Sequence, residues 1–310
     1  MSMDRLQKRI IELKNPTVVG LDPRPEYVPP QILAEHIAEK GETLEAAADA
    51  FYAFNCGLID ALADLVPAVK PQSAYYEMLG PAGVMALYKT VVYAKSKGLY
   101  VILDGKRNDI GPSAEAYAEA YLGRVTVGKA ELSAFDADSL TINAYLGSDG
   151  VSPFLNACKR FDKSIFALVK TSNPSSGELQ DLLCGGGDRT LYTAVGDLLE
   201  RISLDSVGEY GYSAVGAVVG ATYPSDAQAL RRRLKNTFFL VPGYGSQGGS
   251  AEDVAPCFDR YGRGAIVNSS RAILCAWKKT AAGDGSDYQR AAREEAIRMQ
   301  KDIAAVVAVC

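Results

Sequence analysis

Histidine is nearly absent from this 310-residue chain, where His36 is the only one. A Ser-His-Asp hydrolase needs a histidine as its base, and most catalytic zinc sites need two or three as ligands, so both classes are disfavoured. His36 lies in the helix-like stretch QILAEHIAEK and reads as a surface residue. The six cysteines stand apart at 56, 158, 184, 257, 275 and 310, and no two form a CxxC pair. Scattered thiols of this kind read as reduced side chains of a cytoplasmic protein, not as a zinc site or a disulfide framework. No apolar run approaches the roughly 18 residues that a membrane span needs. The N-terminal MSMDRLQKRI is too charged to be a secretory signal. An excess of positive charge is missing too: 33 Lys and Arg face 37 Asp and Glu, for a net charge of −4. The chain therefore offers no basic footprint for nucleic acid or an anionic membrane. Acid–base chemistry, if present, falls to Lys, Asp or Glu.

Short apolar runs alternate with longer amphipathic ones. The strand candidates are TVVGL (17–21), AVK (68–70), YVILD (100–104), SLTIN (139–143), IFALVK (165–170), SAVGAVVG (213–220), FFLVP (238–242) and GAIVN (264–268). Strands apolar on both faces, each followed by a helix, imply a parallel sheet with helices outside. Eight such repeats predict a closed (β/α)8 TIM barrel, one domain over 1–310 with extra N-terminal, C-terminal and loop helices. The alternative is an open doubly wound dinucleotide-binding sheet, which the missing GxGxxG after the first strand disfavours. Gly98 after Lys95 and Lys97 predicts a helix C-cap, and Pro112 a helix first turn. The extra length falls in the connections 22–67 and 171–212, and DLLCGGGDRT (181–190) within the second reads as a mobile loop.

The third candidate strand ends in charge. In YVILDGKRNDIGPS, residues 100–113, Asp104 and Lys106 are two apart and share a face if the strand runs on through them. The direction of Asp109 does not follow from spacing. Charges at the C-terminal end of a barrel strand usually belong to the active site. AVKPQSAYYE places Lys70 at the end of the neighbouring strand. Two lysines and two aspartates around one point hold each other ionised where water is excluded, and suit proton delivery to carbon and stabilisation of a carbanion.

LDGKRNDIGPS resembles the DxKxxDI signature of the orotidine 5′-monophosphate decarboxylases. With VGLDP near the N-terminus and TSNPSSG after the fifth strand, the chain is similar to their longer bacterial branch over nearly its whole length. Ser113 stands where that family often has Thr, and Asn108 where a small residue is common. The resemblance implies catalytic roles for Lys70, Asp104, Lys106 and Asp109, with Lys106 protonating C6 of the pyrimidine. It also implies that Asp109, Ile110 and Ser113 reach the partner's site in a homodimer. Asp22 of VGLDP would bind ribose, and Ser172 of TSNPSSG the pyrimidine amide edge.

Barrels commonly bind phosphate at the loops after the seventh and eighth strands. Here these are VPGYGSQGGS, with Pro242 and Gln247, and NSSRA, with Ser270 and Arg271. Glycine lets backbone N–H groups approach an anion, and arginine forks onto phosphate oxygens. No metal or organic cofactor is expected. The same signature, in looser form, marks Mg²⁺-dependent sugar-phosphate aldolases and ketoacid-phosphate decarboxylases, which tend to carry an acidic ligand where Lys70 stands. A catalytically silent phosphoribosyl-ligand sensor is a further reading, from which loss of the catalytic charges would be expected.

Overall fold

The structure, a computed structural model, describes residues 1–245 and 248–310. Eight parallel strands close into a barrel: β1 (Thr17–Leu21), β2 (Ala68–Pro71), β3 (Tyr100–Arg107), β4 (Ser139–Ile142), β5 (Ser164–Lys170), β6 (Val215–Val219), β7 (Phe239–Val241) and β8 (Ala265–Ser269). Each strand pairs with its neighbours in chain order, and β1 closes on β8 through Thr17 opposite Val267. The open-sheet alternative is thereby excluded.

The alternation within each strand builds two cores. One set of side chains points inward, including Val18, Ala68, Ile102, Phe166, Leu240 and Ile266. Met3, Leu6 and Ile10 of the N-terminal helix Ser2–Leu13 join that set, so the helix plugs the barrel from below. Each fully buried side chain of this size contributes about 1.5–3 kcal/mol. The other set, such as Val19, Val69, Val101 and Leu103, packs under the outer helices. The outer helix Leu44–Leu62 starts where Thr43 caps it, the hydroxyl accepting from the Ala46 amide at 3.1 Å. Gly98 ends helix Gly80–Ser96 as expected, at φ 75°, with Leu99 N–H donating back to Ala94. Pro112 sits in the first turn of helix Gly111–Tyr121.

Two short hairpins were not legible. Val125–Val127 pairs with Ala130–Leu132, and Leu183–Cys184 with Arg189–Thr190. The second lies within the stretch 181–190 read as a mobile loop, and turns through Gly185 and Gly186 in the left-handed region. No helix among the described residues is long and apolar enough to cross a membrane.

Candidate active site

A cavity of about 1130 Å³ opens at the C-terminal ends of the strands. Its floor is built around one carboxylate. β3 does not stop at Asp104 but continues through Arg107, so Asp104 and Lys106 do share a face. Lys70 Nζ donates to Asp104 Oδ2 at 2.8 Å, and Lys106 Nζ to Oδ1 at 2.7 Å. Thr141 Oγ1 adds a bond to Oδ1 at 2.7 Å, and Gln72 Nε2 one to Oδ2 at 2.9 Å. Burial alone would raise the Asp104 pKa, but the Lys70 and Lys106 ammoniums outweigh it and hold the carboxyl well below the usual range. Lys70 is buried, which disfavours its charge, yet Asp104 and Asp22 more than compensate and raise its pKa.

Lys106 is the exposed member, its side chain 45% accessible at the cavity. Its backbone has φ 46°, uncommon for a residue with a side chain, and sits where the β3–β4 register breaks between Leu103 and Arg107. Such a conformation costs about 1–3 kcal/mol and persists only where surrounding structure enforces it. Here the Thr141 hydroxyl accepts from the Lys106 amide at 2.9 Å while donating to Asp104. One threonine thus fixes both the lysine backbone and the carboxylate its ammonium pairs with.

Asp22 lies at the end of β1, with Oδ1 4.0 Å from Lys70 Nζ. Burial pushes its carboxyl up, only partly countered by Lys70 and by a hydrogen bond from Ser270. Its Oδ1 and the Asn268 Oδ1 are buried without a hydrogen-bond partner, and both residues line the cavity. Gly20 is what allows this corner to close, because a Cβ there would overlap the Ser270 hydroxyl. Gly220 does the same for the opposite wall, where a Cβ would stand 2.8 Å from the backbone nitrogen of Ser172.

Most of the residues expected from sequence meet at this cavity: Asp22, Lys70, Asp104, Lys106, Ser172, Pro242, Ser270 and Arg271. Gln247 lies outside the described residues. Asp109, Ile110 and Ser113 do not line the cavity of their own chain. Asp109 Oδ1 instead accepts from the Ile110 amide at 2.8 Å, and Ile110 is 52% exposed. Arg107, one of the strand-end charges, also turns away, bonding the Tyr121 hydroxyl and pairing with Glu77. The helices after β7 and β8, Ala251–Val254 and Arg271–Leu274, are one turn each. Helices this short add little summed dipole, and a capping box between Ser250 and Asp253 already closes the first of them.

Sequence reasoning missed Gln72, Thr141 and Asn268. Each left a faint signal: Gln72 follows Lys70 by two, and Thr141 and Asn268 are polar positions in apolar runs. Among the described residues no group of three His, Cys, Asp or Glu side chains is placed to hold a metal ion.

Comparison with known proteins identifies the family of the chain. The model of the orotidine 5′-phosphate decarboxylase / HUMPS family matches residues 18–286. A Rhodopirellula baltica protein named orotidine 5′-phosphate decarboxylase is 45% identical over 302 residues, covering 96% of this chain and 97% of its own. One of the same name from Caldicellulosiruptor bescii is 41% identical over 275 residues, covering 89% and 90%. The solved Leishmania donovani OMP decarboxylase is 29% identical, with a TM-score of 0.72 over 98% of both chains. With the family model spanning most of the chain and such relatives matching nearly end to end, the protein belongs to the orotidine 5′-phosphate decarboxylase family.

Proposed function

We propose that the protein decarboxylates orotidine 5′-monophosphate to uridine 5′-monophosphate and CO₂, the last step of UMP synthesis, without a cofactor. The observation that carries this reading is the buried Asp104 carboxylate held between Lys70 and Lys106 at 2.8 and 2.7 Å. As the C6–carboxylate bond breaks, its electron pair stays on C6. The Lys106 ammonium then donates a proton to C6 and later regains one from solvent. Asp104 and Lys70 are already oriented, so little reorganisation accompanies the change in charge. The substrate carboxylate would sit near Asp104 and be disfavoured there, whereas the carbanion faces Lys106.

The remaining contacts follow from the cavity wall. Asp22 Oδ1 and Asn268 Oδ1, buried without a hydrogen-bond partner, are acceptors suited to ribose hydroxyl donors. Ser172 lines the same cavity and is the residue assigned to the pyrimidine amide edge. Arg271, Ser270 and the backbone after Pro242, with Gln247 in the same loop, suit the 5′-phosphate. Lys70 occupies the position where a metal-dependent aldolase would need an acidic ligand, which favours the decarboxylase within the family.

The reading includes a homodimer in which Asp109, Ile110 and Ser113 complete the partner's site. Supporting it, Ile110, Tyr145 and Leu146 are exposed apolar side chains at 52, 75 and 44%. Leu146 and Asp109 flank the same point, the space beside Gly150. An exposed apolar cluster around an acidic residue that does not reach its own cavity fits an interface better than a free surface. The unpaired thiols accord with a cytoplasmic setting.

The test is product analysis. Purified protein with orotidine 5′-monophosphate and EDTA is expected to release UMP and CO₂ in equal amounts. Activity on a sugar phosphate that requires added Mg²⁺, with none on the nucleotide, would move the protein to the aldolase branch.

A further inference from the structure

The cavity wall that carries Ser172 hangs from another lysine, this one buried, that the proposed chemistry does not use. Lys170, the last residue of β5, is 1% exposed. Simple alternation would put it on the face of Phe166 and Leu168, inside the barrel mouth beside Lys70 and Lys106. It does not go there. The β5–β6 register passes from Val218 opposite Leu168 to Val219 opposite Lys170, skipping one residue on β5. This bulge aligns Lys170 with Val219, which packs in the outer core, and turns its side chain away from the cavity. There its ammonium lies over the rings of Tyr223 and Tyr192, at 4.5 and 5.1 Å. It pairs with Asp181 and stands 3.7 Å from Asp226.

Asp181 is not a core residue, since its side chain is 48% exposed. It follows Gln180, which lines the cavity and clasps Thr171 twice: Thr171 N–H donates to Gln180 Oε1 at 2.9 Å, and Gln180 Nε2 donates to Thr171 Oγ1 at 2.7 Å. The segment 171–181 is therefore a closed loop with Ser172 at its cavity edge. It is pinned twice at its base, by the Thr171–Gln180 clasp and, one residue outward on each side, by a surface carboxylate on a buried ammonium. Tyr223, which lines the cavity, is the other side of the same lysine.

The geometry points to Lys170 and Asp181 as positioning residues that set the placement of Ser172 and Gln180, and so recognition of the substrate's base rather than its phosphate. The assignment of Ser172 to the base rests on the decarboxylase reading. The anchoring itself does not. A buried ammonium that loses this carboxylate is left, among the described residues, with Asp226 and two ring faces, so opening the loop is costly while the pair is intact.

The experiment uses the full-length protein with Asp181→Asn, Lys170→Met and Lys170→Arg. Hydrogen exchange without substrate is expected to be about tenfold faster across residues 171–182 in Asp181→Asn and Lys170→Met, with the other barrel strands unchanged. Lys170→Arg, which keeps the charge, is expected to retain the slow exchange. In turnover, Asp181→Asn is expected to lower kcat/KM for orotidine 5′-monophosphate about tenfold, mainly through KM. Competition by ribose 5-phosphate, which has no base, should change by less than about twofold. Unchanged exchange in Asp181→Asn would overturn the anchor. Equal weakening of ribose 5-phosphate would overturn its selectivity for the base. If the exchange difference holds but the wild-type protein does not turn the nucleotide over, the anchor stands and the decarboxylase reading falls.

Discussion

At the scale of single residues, Thr141 and Asp22 carry opposite lessons. Thr141 contributes no charge, yet its hydroxyl is shared between the Asp104 carboxylate and the strained Lys106 amide. A hydrogen bond to a charged group is worth about 1.5–3 kcal/mol. Thr141→Val, which keeps the shape, is therefore expected to lower kcat by roughly 10- to 100-fold with a smaller change in KM. Steady-state kinetics on the purified variant check it. Asp22 is a case of function against stability. Burial raises its pKa, so the folded state disfavours its charge, and stability falls as pH rises past the ordinary carboxylate value near 3.9. Asp104 works the other way: its depressed pKa contributes stability at neutral pH that is lost as pH falls toward the folded value. Asp22→Asn is thus expected to raise Tm at pH 7 by a few degrees while raising KM, and Asp104→Asn to lower Tm. Calorimetry of the two variants beside wild type decides the signs.

At the scale of elements, the site depends on how strands end. β3 carries Asp104 and Lys106 on one face because it runs three residues beyond Asp104, and it also breaks register with β4 there. The β5 bulge performs a comparable redirection for Lys170. These irregularities were not legible in the sequence, because the period-2 pattern records which face a residue takes in a regular strand and carries no mark of an inserted residue. The regular parts were legible: the eight strands fall where apolar runs were read, and Gly98 and Pro112 mark helix ends for local steric reasons. Charged site residues such as Lys70, Asp104 and Lys106 stood out against apolar strands. Gln72, Thr141 and Asn268 did not, because an uncharged polar side chain in a strand is ordinary until its partner is known. Close approach of backbones was equally silent. Gly220 sits in the run SAVGAVVG without distinction, yet a Cβ there would press on Ser172 at 2.8 Å. Gly220→Ala is expected to cost about 1–3 kcal/mol of stability and to displace Ser172. A lowered urea midpoint together with a raised KM would show both effects.

At the scale of the whole molecule, the barrel of one chain leaves Asp109, Ile110 and Ser113 outside its own cavity. A symmetric dimer that exchanges these residues has a quantitative signature. Asp109→Ala and Lys106→Ala are each expected to be inactive alone. When unfolded and refolded together in equal amounts, half the dimers are mixed, and each mixed dimer holds one intact site. Recovery to roughly a quarter of wild-type activity is therefore expected for a C₂ assembly with shared sites. No recovery would place Asp109 in its own chain's chemistry or outside chemistry altogether. Ile110→Asp is expected to shift the protein to monomer in sedimentation and to remove turnover with it.

On the proposed reading Lys106, held by Asp104, supplies the proton to C6. The most direct measurement pairs two readings on Lys106→Ala: loss of orotidine 5′-monophosphate absorbance in EDTA, and calorimetric affinity for UMP. Turnover is expected to disappear while UMP affinity stays within about tenfold of wild type, because the residues proposed for phosphate and ribose lie on other strands. Turnover retained in Lys106→Ala would contradict it and leave the Asp104 network as a structural ion cluster.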